Sequence, residues 1–162
     1  AMASGLMAQL LKAGFGYDCS LKMVNSAMLF KSVDESLATL DAANIDLFTG
    51  RIDMYKAGAA PTVIRQHGYT GKAECSSIPV GILREVKFDC AGVNLAKGDI
   101  VVMMSDGVTA DGTGWISREL ADWDGDSAQQ LAEKLADMAL RRLEKGHEDD
   151  ITVMVAILEN AA

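Results

Sequence analysis

The spacing of apolar residues changes along the chain, and this change restricts the possible folds more than any other feature. Near the start, apolar residues recur at intervals of three and four, which is typical of a helix face: Leu21, Val24 and Met28. Residues 36–104 instead alternate or form short apolar runs between turn residues, as strands do. Helical spacing returns over Ser127–Leu143, and the chain closes on an apolar strand, Thr152–Leu158. Because the links between strands are short, the pattern predicts an α+β fold with a largely antiparallel sheet.

The predicted elements can be given bounds. Helices are expected over 4–14, over a second segment capped by Asp18 or Ser20, and over 115–123 and 127–143. Strands are expected over 36–46, 51–57, 62–66, 86–90, 100–104 and 152–158, with turns at 47–50, 67–71 and 95–99. Ile52 and Met54 should share one buried face, and Ser127 should cap the last helix.

Length and charge exclude several classes of protein. With 162 residues the chain is predicted to form a single domain, 1–162. Its 49% hydrophobic content excludes general disorder, and its net charge of −8 argues against nucleic acid or anionic membrane as a partner. Apolar runs reach only about six residues, far short of the roughly 20 that cross a bilayer. With no signal sequence at the start, the expected location is cytoplasmic.

The cysteines and histidines exclude the usual zinc and disulfide chemistry. Cys19, Cys75 and Cys90 are odd in number, and no pair has the Cys-x-x-Cys spacing. Reduced, buried thiols are therefore expected. Two histidines are too few for a zinc hydrolase of the common kind.

Two acidic segments lie at the ends of predicted strands. Ser105-Asp106-Gly107 directly follows strand 100–104, and Glu148-Asp149-Asp150 precedes the last strand. If those strands are neighbours, the carboxylates converge, and a hard divalent cation such as Mg²⁺ or Mn²⁺ would relieve their repulsion. The alternative is an ordinary Asp-Gly turn and a solvated acidic loop. Spacing alone leaves both interpretations open.

Five segments carry a resemblance to a known family. Met103–Gly107 and Asp149–Thr152 resemble the last two metal motifs of the PPM family, metal-dependent serine/threonine phosphatases of the type 2C fold. Three further segments are similar to the stage II sporulation protein E group within it: 24–28 with 36–46, 57–64 and 77–83. The similarity runs over nearly the whole chain, with the motifs in the family's order.

The resemblance implies a fold, a cofactor and a reaction. The fold would be an antiparallel β-sandwich flanked by helices, with a Mn²⁺ or Mg²⁺ pair at its edge. Asp106 and Asp149 would be metal ligands, Asp150 would fill a more variable neighbouring place, and Gly107 would provide a close turn. A metal-activated water would hydrolyse phosphoserine on a phosphorylated anti-sigma-factor antagonist protein. The parent protein of this family is also anchored in a membrane through an N-terminal region.

The resemblance also implies that part of the phosphatase domain precedes this chain. The family has an earlier strand pair and an Asp-Gly-x-Gly motif, whereas here no Asp precedes Asp18. The chain is therefore expected to be N-terminally truncated, to lack the first metal aspartate, and to be inactive alone. Uncovered strands would then favour self-association, for example as a homodimer. Two alternatives are a non-catalytic pseudophosphatase or regulatory partner-binding module, and a cation-binding domain unrelated to sporulation.

Overall fold

The computed structural model describes residues 2–31, 38–74, 76–85, 88–143 and 149–159. In chain order its elements are α1 (Met2–Lys12), α2 (Tyr17–Lys31), β1 (Leu40–Ile45), β2 (Arg51–Ala57), β3 (Thr62–Gln66), β4 (Tyr69–Ala73), β5 (Asp89–Asn94), β6 (Ile100–Met104), α3 (Asp106–Thr109), α4 (Gly114–Ala121), α5 (Ala128–Arg142) and β7 (Val153–Ile157). They form two compact units. Unit 1 comprises residues 1–42, 55–59 and 75–90, and unit 2 comprises 43–54, 60–74 and 91–162.

Unit 1 is built on the two N-terminal helices. The α1 helix ends just before Gly14, whose φ of 89° stops a helix without a steric penalty. The predicted face of α2 is confirmed, because Leu21, Val24 and Met28 are buried in one cluster with Met7 of α1. None of the described helices is long and apolar enough to cross a bilayer.

The start of α2 differs from the prediction of a cap at Asp18 or Ser20. The helix already begins at Tyr17, and the Ser20 N–H donates to the Gly16 carbonyl at 3.0 Å. Asp18 lies in the first turn, where its carboxylate accepts a 2.6 Å hydrogen bond from Lys22. A carboxylate in the first turn is favourable beside the positive end of the helix dipole, so Asp18 stabilises the helix without capping it.

Unit 2 contains a four-stranded sheet in the order β4-β3-β6-β7. Its neighbouring strands are all antiparallel, and Met104 pairs with Val153 at one end of the β6–β7 ladder. The α4 and α5 helices contribute Ile116, Leu120, Leu131 and Leu135 to the core cluster that also holds β6 side chains. The predicted cap of α5 is confirmed, since the Ser127 hydroxyl accepts a 3.3 Å hydrogen bond from the Gln130 N–H.

A second sheet has three strands in the order β1-β2-β5. The alternation predicted for β2 is confirmed, because Ile52 and Met54 are fully buried within unit 2. The strand predicted over 36–46 begins outside the described residues, and within its described part the strand is β1, Leu40–Ile45. Residues 86 and 87 of the strand predicted over 86–90 also lie outside the described residues, and its predicted end is too early, since β5 runs from Asp89 to Asn94.

Two expectations about other residues are wrong. The turn predicted over 67–71 is shorter, because Tyr69 already starts β4 opposite Gln66. His67 and Gly68 have φ of 50° and 84°, as a two-residue hairpin turn requires, so two residues suffice. Cys19 is exposed rather than buried, because it lies away from the face of α2 that packs into the core, and the side chains of Cys75 and Cys90 lie outside the described part of the chain.

Candidate metal centre

The two acidic segments meet at one edge of the unit 2 sheet. Because β6 and β7 are antiparallel, the end of β6 at Met104 lies beside the start of β7 at Val153. The Ser105–Gly107 segment therefore meets the residues that precede β7, although more than forty residues separate them in sequence. The condition on which convergence of the two segments depended, that β6 and β7 be neighbours, is met.

Ser105 joins the two segments through three hydrogen bonds. Its N–H donates to the Thr152 carbonyl at 3.0 Å, and its hydroxyl donates to the Asp150 carbonyl at 2.8 Å. The same hydroxyl accepts the Thr152 N–H at 3.0 Å. Ser105 therefore extends the ladder one residue beyond the strands and is a positioning residue that sequence reasoning missed. The available signal was a short hydroxyl side chain at the end of a buried strand, where Ser readily bonds backbone groups.

Asp106 and Gly107 open the short helix α3. Asp106 is exposed, and its carboxylate has no hydrogen-bond partner among the described residues. Gly107 lies within the helix rather than in a sharp turn, and its φ is not positive. Its requirement is spatial: a Cβ at this position would lie 3.0 Å from the Asp150 carbonyl oxygen and 3.3 Å from the Asp149 Cβ. Glycine thus permits the close approach of the two acidic segments.

Asp149 and Asp150 are both exposed, and the backbone orients the first of them. The Asp150 N–H donates to Oδ1 of Asp149 at 2.8 Å. That bond restrains the Asp149 carboxylate and leaves Oδ2 without a hydrogen-bond partner in the described part of the chain. An exposed carboxylate held in one orientation can ligate a cation at a lower entropic cost than a freely rotating one.

The donor chemistry fits a hard cation, but the described residues provide only part of a site. Asp106 and Asp149 offer carboxylate oxygens, which suit Mg²⁺ and Mn²⁺ better than zinc. Across residues 2–31, 38–74, 76–85, 88–143 and 149–159, no three His, Cys, Asp or Glu side chains lie close enough together to hold an ion. Glu148 lies outside the described residues.

Solved structures with this fold define the class of protein. The PP2C phosphatase domain of SpoIIE from Bacillus subtilis, solved with a fragment of its regulatory domain, matches with a TM-score of 0.82 and 28% identity. The match covers 95% of this chain and 48% of that one. The manganese-presoaked phosphatase domain of the same protein matches with a TM-score of 0.67 and 26% identity, over 99% of this chain and 73% of that one. The serine/threonine phosphatase PstP/Ppp of Mycobacterium tuberculosis shares the fold, with a TM-score of 0.76 and 19% identity over 98% and 82% of the two chains. The chain thus has the mixed helix and antiparallel-sheet fold of a PP2C-like serine/threonine phosphatase domain, and the predicted fold class is confirmed.

The family follows from the sequence match. Residues 1–159 match the family model of Stage II sporulation protein E (SpoIIE), so the chain belongs to that family. The Stage II sporulation protein E of Priestia megaterium is 29% identical over 161 residues, and that of Bacillus subtilis (strain 168) is 27% identical over 161 residues. Each match covers 96% of this chain but only 28% and 20% of the respective relative. The chain therefore spans less than a third of the length of these relatives.

Proposed function

We propose that residues 1–162 form a single domain, and that this domain is the C-terminal portion of a complete phosphatase domain. The complete domain removes phosphate from phosphoserine. Asp106 and Asp149 are its metal ligands in this proposal. The observation that carries it is the junction of β6 and β7, where Ser105 bonds both the Asp150 carbonyl and the Thr152 N–H. This link holds the Asp106 and Asp149 segments at the same edge of the sheet.

Each residue of the junction has a separate task in this proposal. Asp106 and Asp149 would hold Mn²⁺ or Mg²⁺, which supplies a water that is acidic near neutral pH and neutralises phosphoryl charge. Ser105 holds the two acidic segments together. Gly107 keeps the space between them free of a side chain. Asp150 orients Asp149 through its N–H and contributes a further negative charge.

The proposed substrate is a phosphorylated anti-sigma-factor antagonist, whose dephosphorylation would allow release of a sigma factor. Membership of a sporulation family supports a regulatory protein as substrate rather than a metabolite. We propose that the reaction takes place in the cytoplasm.

One observation favours a second candidate, a non-catalytic partner-binding module. The described residues contain no three-ligand metal group, and a dinuclear site needs more ligands than two aspartates provide. Under either candidate we expect this chain alone to show little turnover. The candidates differ in what happens when the family's upstream Asp-Gly-x-Gly segment is added.

The test is a Mn²⁺-dependent assay on a phosphoserine protein. We compare this chain with the same chain extended upstream by the family's Asp-Gly-x-Gly segment. The extended chain should turn over, Asp106→Asn and Asp149→Asn should each abolish turnover while folding is retained, and Asp150→Asn should have a smaller effect. An extended chain that folds but shows no turnover would favour the binding module. Three variants with equal activity would mean that the ligands are wrongly assigned.

A further inference from the structure

A small cleft between α3 and α5 borders the candidate metal centre. Its lining includes Gly107 and Asp111 on one side and Ala139 and Arg142 on the other. The cleft holds about 10 Å³, room for about one water molecule, so it cannot accept a side chain. A ligand could therefore contact only the residues at the rim of the cleft. Since Gly107 also packs against Asp149, the rim is continuous with the acidic junction.

Arg142 lies on this rim, and its guanidinium stacks on a tryptophan ring. It is the last residue of α5 and is exposed, and its guanidinium carbon lies 4.9 Å from the centre of the Trp115 ring. The ring itself is only 4% exposed, so it forms a fixed platform. A guanidinium over a buried indole is restrained in position by cation–π attraction and stacking.

The stacked guanidinium keeps its hydrogen-bonding capacity. No carboxylate lies within 4 Å of Arg142 in the part of the chain that the structure describes. Two other cations of unit 2 are engaged by contrast: Lys134 pairs with Glu119 at 2.8 Å, and Arg65 donates to the Leu120 and Trp123 carbonyls. Arg142 therefore presents planar N–H donors to solvent at the border of an acidic site.

We propose that Arg142 binds an oxyanion of the substrate beside the Asp106 and Asp149 carboxylates, and so helps to select it. This inference rests on the proposed function. A phosphoserine dianion that approaches Asp106, Asp149 and Asp150 is repelled, and a guanidinium at the same rim offsets that repulsion. Its fork matches two oxygens of a phosphoryl group or of a carboxylate next to the phosphoserine.

The alternative role for Arg142 is structural. A cation in the last turn of a helix is stabilised by the helix dipole whether or not it binds a ligand. Arg141 occupies the same turn, is also exposed, and does not line the cleft. Arg141 is therefore the matched control, because its removal changes the helix end and the net charge equally.

The experiment uses Trp115 as the reporter. In a Trp123→Phe background with Mg²⁺ present, inorganic phosphate and, separately, acetate are titrated while Trp115 emission is recorded. We expect saturable binding that Arg142→Gln weakens at least about tenfold, the effect of losing a charged hydrogen bond, and that Arg141→Gln leaves unchanged. Arg142→Lys keeps the charge but lacks the planar guanidinium, so its affinity for the anions should lie between those of wild type and Arg142→Gln. Melting temperatures establish that each variant is folded.

The outcomes separate the two sources of the oxyanion. Binding of phosphate alone supports contact with the phosphoryl group, and comparable binding of acetate supports contact with a flanking carboxylate. A lack of any saturable response, or equal weakening by the Arg141 and Arg142 variants, would overturn the proposal. Since no turnover is measured, the result is independent of whether the chain is a phosphatase.

Discussion

One carboxylate of unit 1 and two carboxylates of unit 2 have opposite roles. In unit 1, Asp41 of β1 accepts a 2.6 Å hydrogen bond from Lys56, whose side chain is only 3% exposed. In unit 2, Asp106 and Asp149 lie at the ends of strands, exposed and without a basic partner in the described part of the chain. The first kind of carboxylate neutralises a buried cation of the same fold. The second kind keeps its charge available for a ligand.

Burial has a measurable consequence for Asp41. Desolvation raises the pKa of its carboxyl above the ordinary value, and the hydrogen bond from Lys56 works against that rise. A carboxyl whose pKa is higher in the folded than in the unfolded state contributes less stability as the pH rises through the folded pKa. Ionisation of Asp41 therefore costs stability, and the hydrogen bond from Lys56 reduces that cost. We expect substitutions that affect the two kinds of carboxylate to have clearly different effects.

The largest expected effect is on the buried pair. Lys56→Met leaves a carboxylate in an apolar setting, and we expect it to lower the free energy of unfolding by about 3–5 kcal/mol at neutral pH. Because the pKa of Asp41 should then rise further, the loss of stability relative to wild type should be smaller at about pH 4 than at about pH 7. Chemical denaturation at both pH values measures this.

Two variants control for that result. Arg51→Met breaks an ion pair whose Arg side chain is 53% exposed, and such a pair contributes about 0–1 kcal/mol. Asp41→Leu combined with Lys56→Met should recover most of the loss, since a well-packed apolar pair can replace a buried ion pair. If Lys56→Met lowers the free energy of unfolding by no more than Arg51→Met does, the contrast between the buried and the exposed carboxylates is wrong.

The second effect concerns Mn²⁺ binding at the exposed carboxylates. With Mn²⁺ at about one hundred times its dissociation constant, the folded state should gain about 2.7 kcal/mol, seen as a rise in melting temperature. Asp106→Asn and Asp149→Asn should each lose most of that rise and change metal-free stability by less than about 0.5 kcal/mol. Asp137→Asn, an exposed acid on α5, should keep the full rise. An undiminished rise in both site variants would place the metal elsewhere.

The third effect tests the junction itself. Ser105→Ala removes a hydroxyl that makes two hydrogen bonds and should cost about 1–3 kcal/mol of stability, together with part of the Mn²⁺ effect. The matched control is Ser127→Ala, which removes the cap of α5 at a cost of about 1 kcal/mol and should leave Mn²⁺ binding intact. Equal Mn²⁺ binding in both serine variants would mean that Ser105 has no part in the site.

The smallest effect concerns the edge of the unit 2 sheet. The β7 strand is last in its order, and Met154 on it is 64% exposed. An apolar edge strand recruits other chains, so we expect concentration-dependent self-association that Met154→Lys weakens. Light scattering at two concentrations measures the molar mass. A monomer at both concentrations would remove the expectation of a homodimer.

Local periodicity accounts for the parts of the fold that were predictable. The Leu131 and Leu135 stripe of α5, the Ile52 and Met54 alternation of β2, and the apolar run of β6 are properties of single elements. Their burial follows from spacing whatever they pack against. The β4 strand was missed because its sequence, Tyr69–Ala73, is polar and Gly-containing. Its place depends on pairing with β3 rather than on its own pattern.

Local sequence patterns were sufficient to predict α1, α2, α4 and α5, most strands, and the position of Asp106 and Asp149 at two strand ends. They did not predict α3, the meeting of those strand ends, the link through Ser105 or the pairing of Asp41 with Lys56. These contacts join residues that are far apart along the chain. The Ser105–Asp150 bond spans 45 residues and the Lys56–Asp41 bond spans 15, so each exists only once the strands have paired in one register. That register depends on the packing of whole elements, which no local window of the sequence contains.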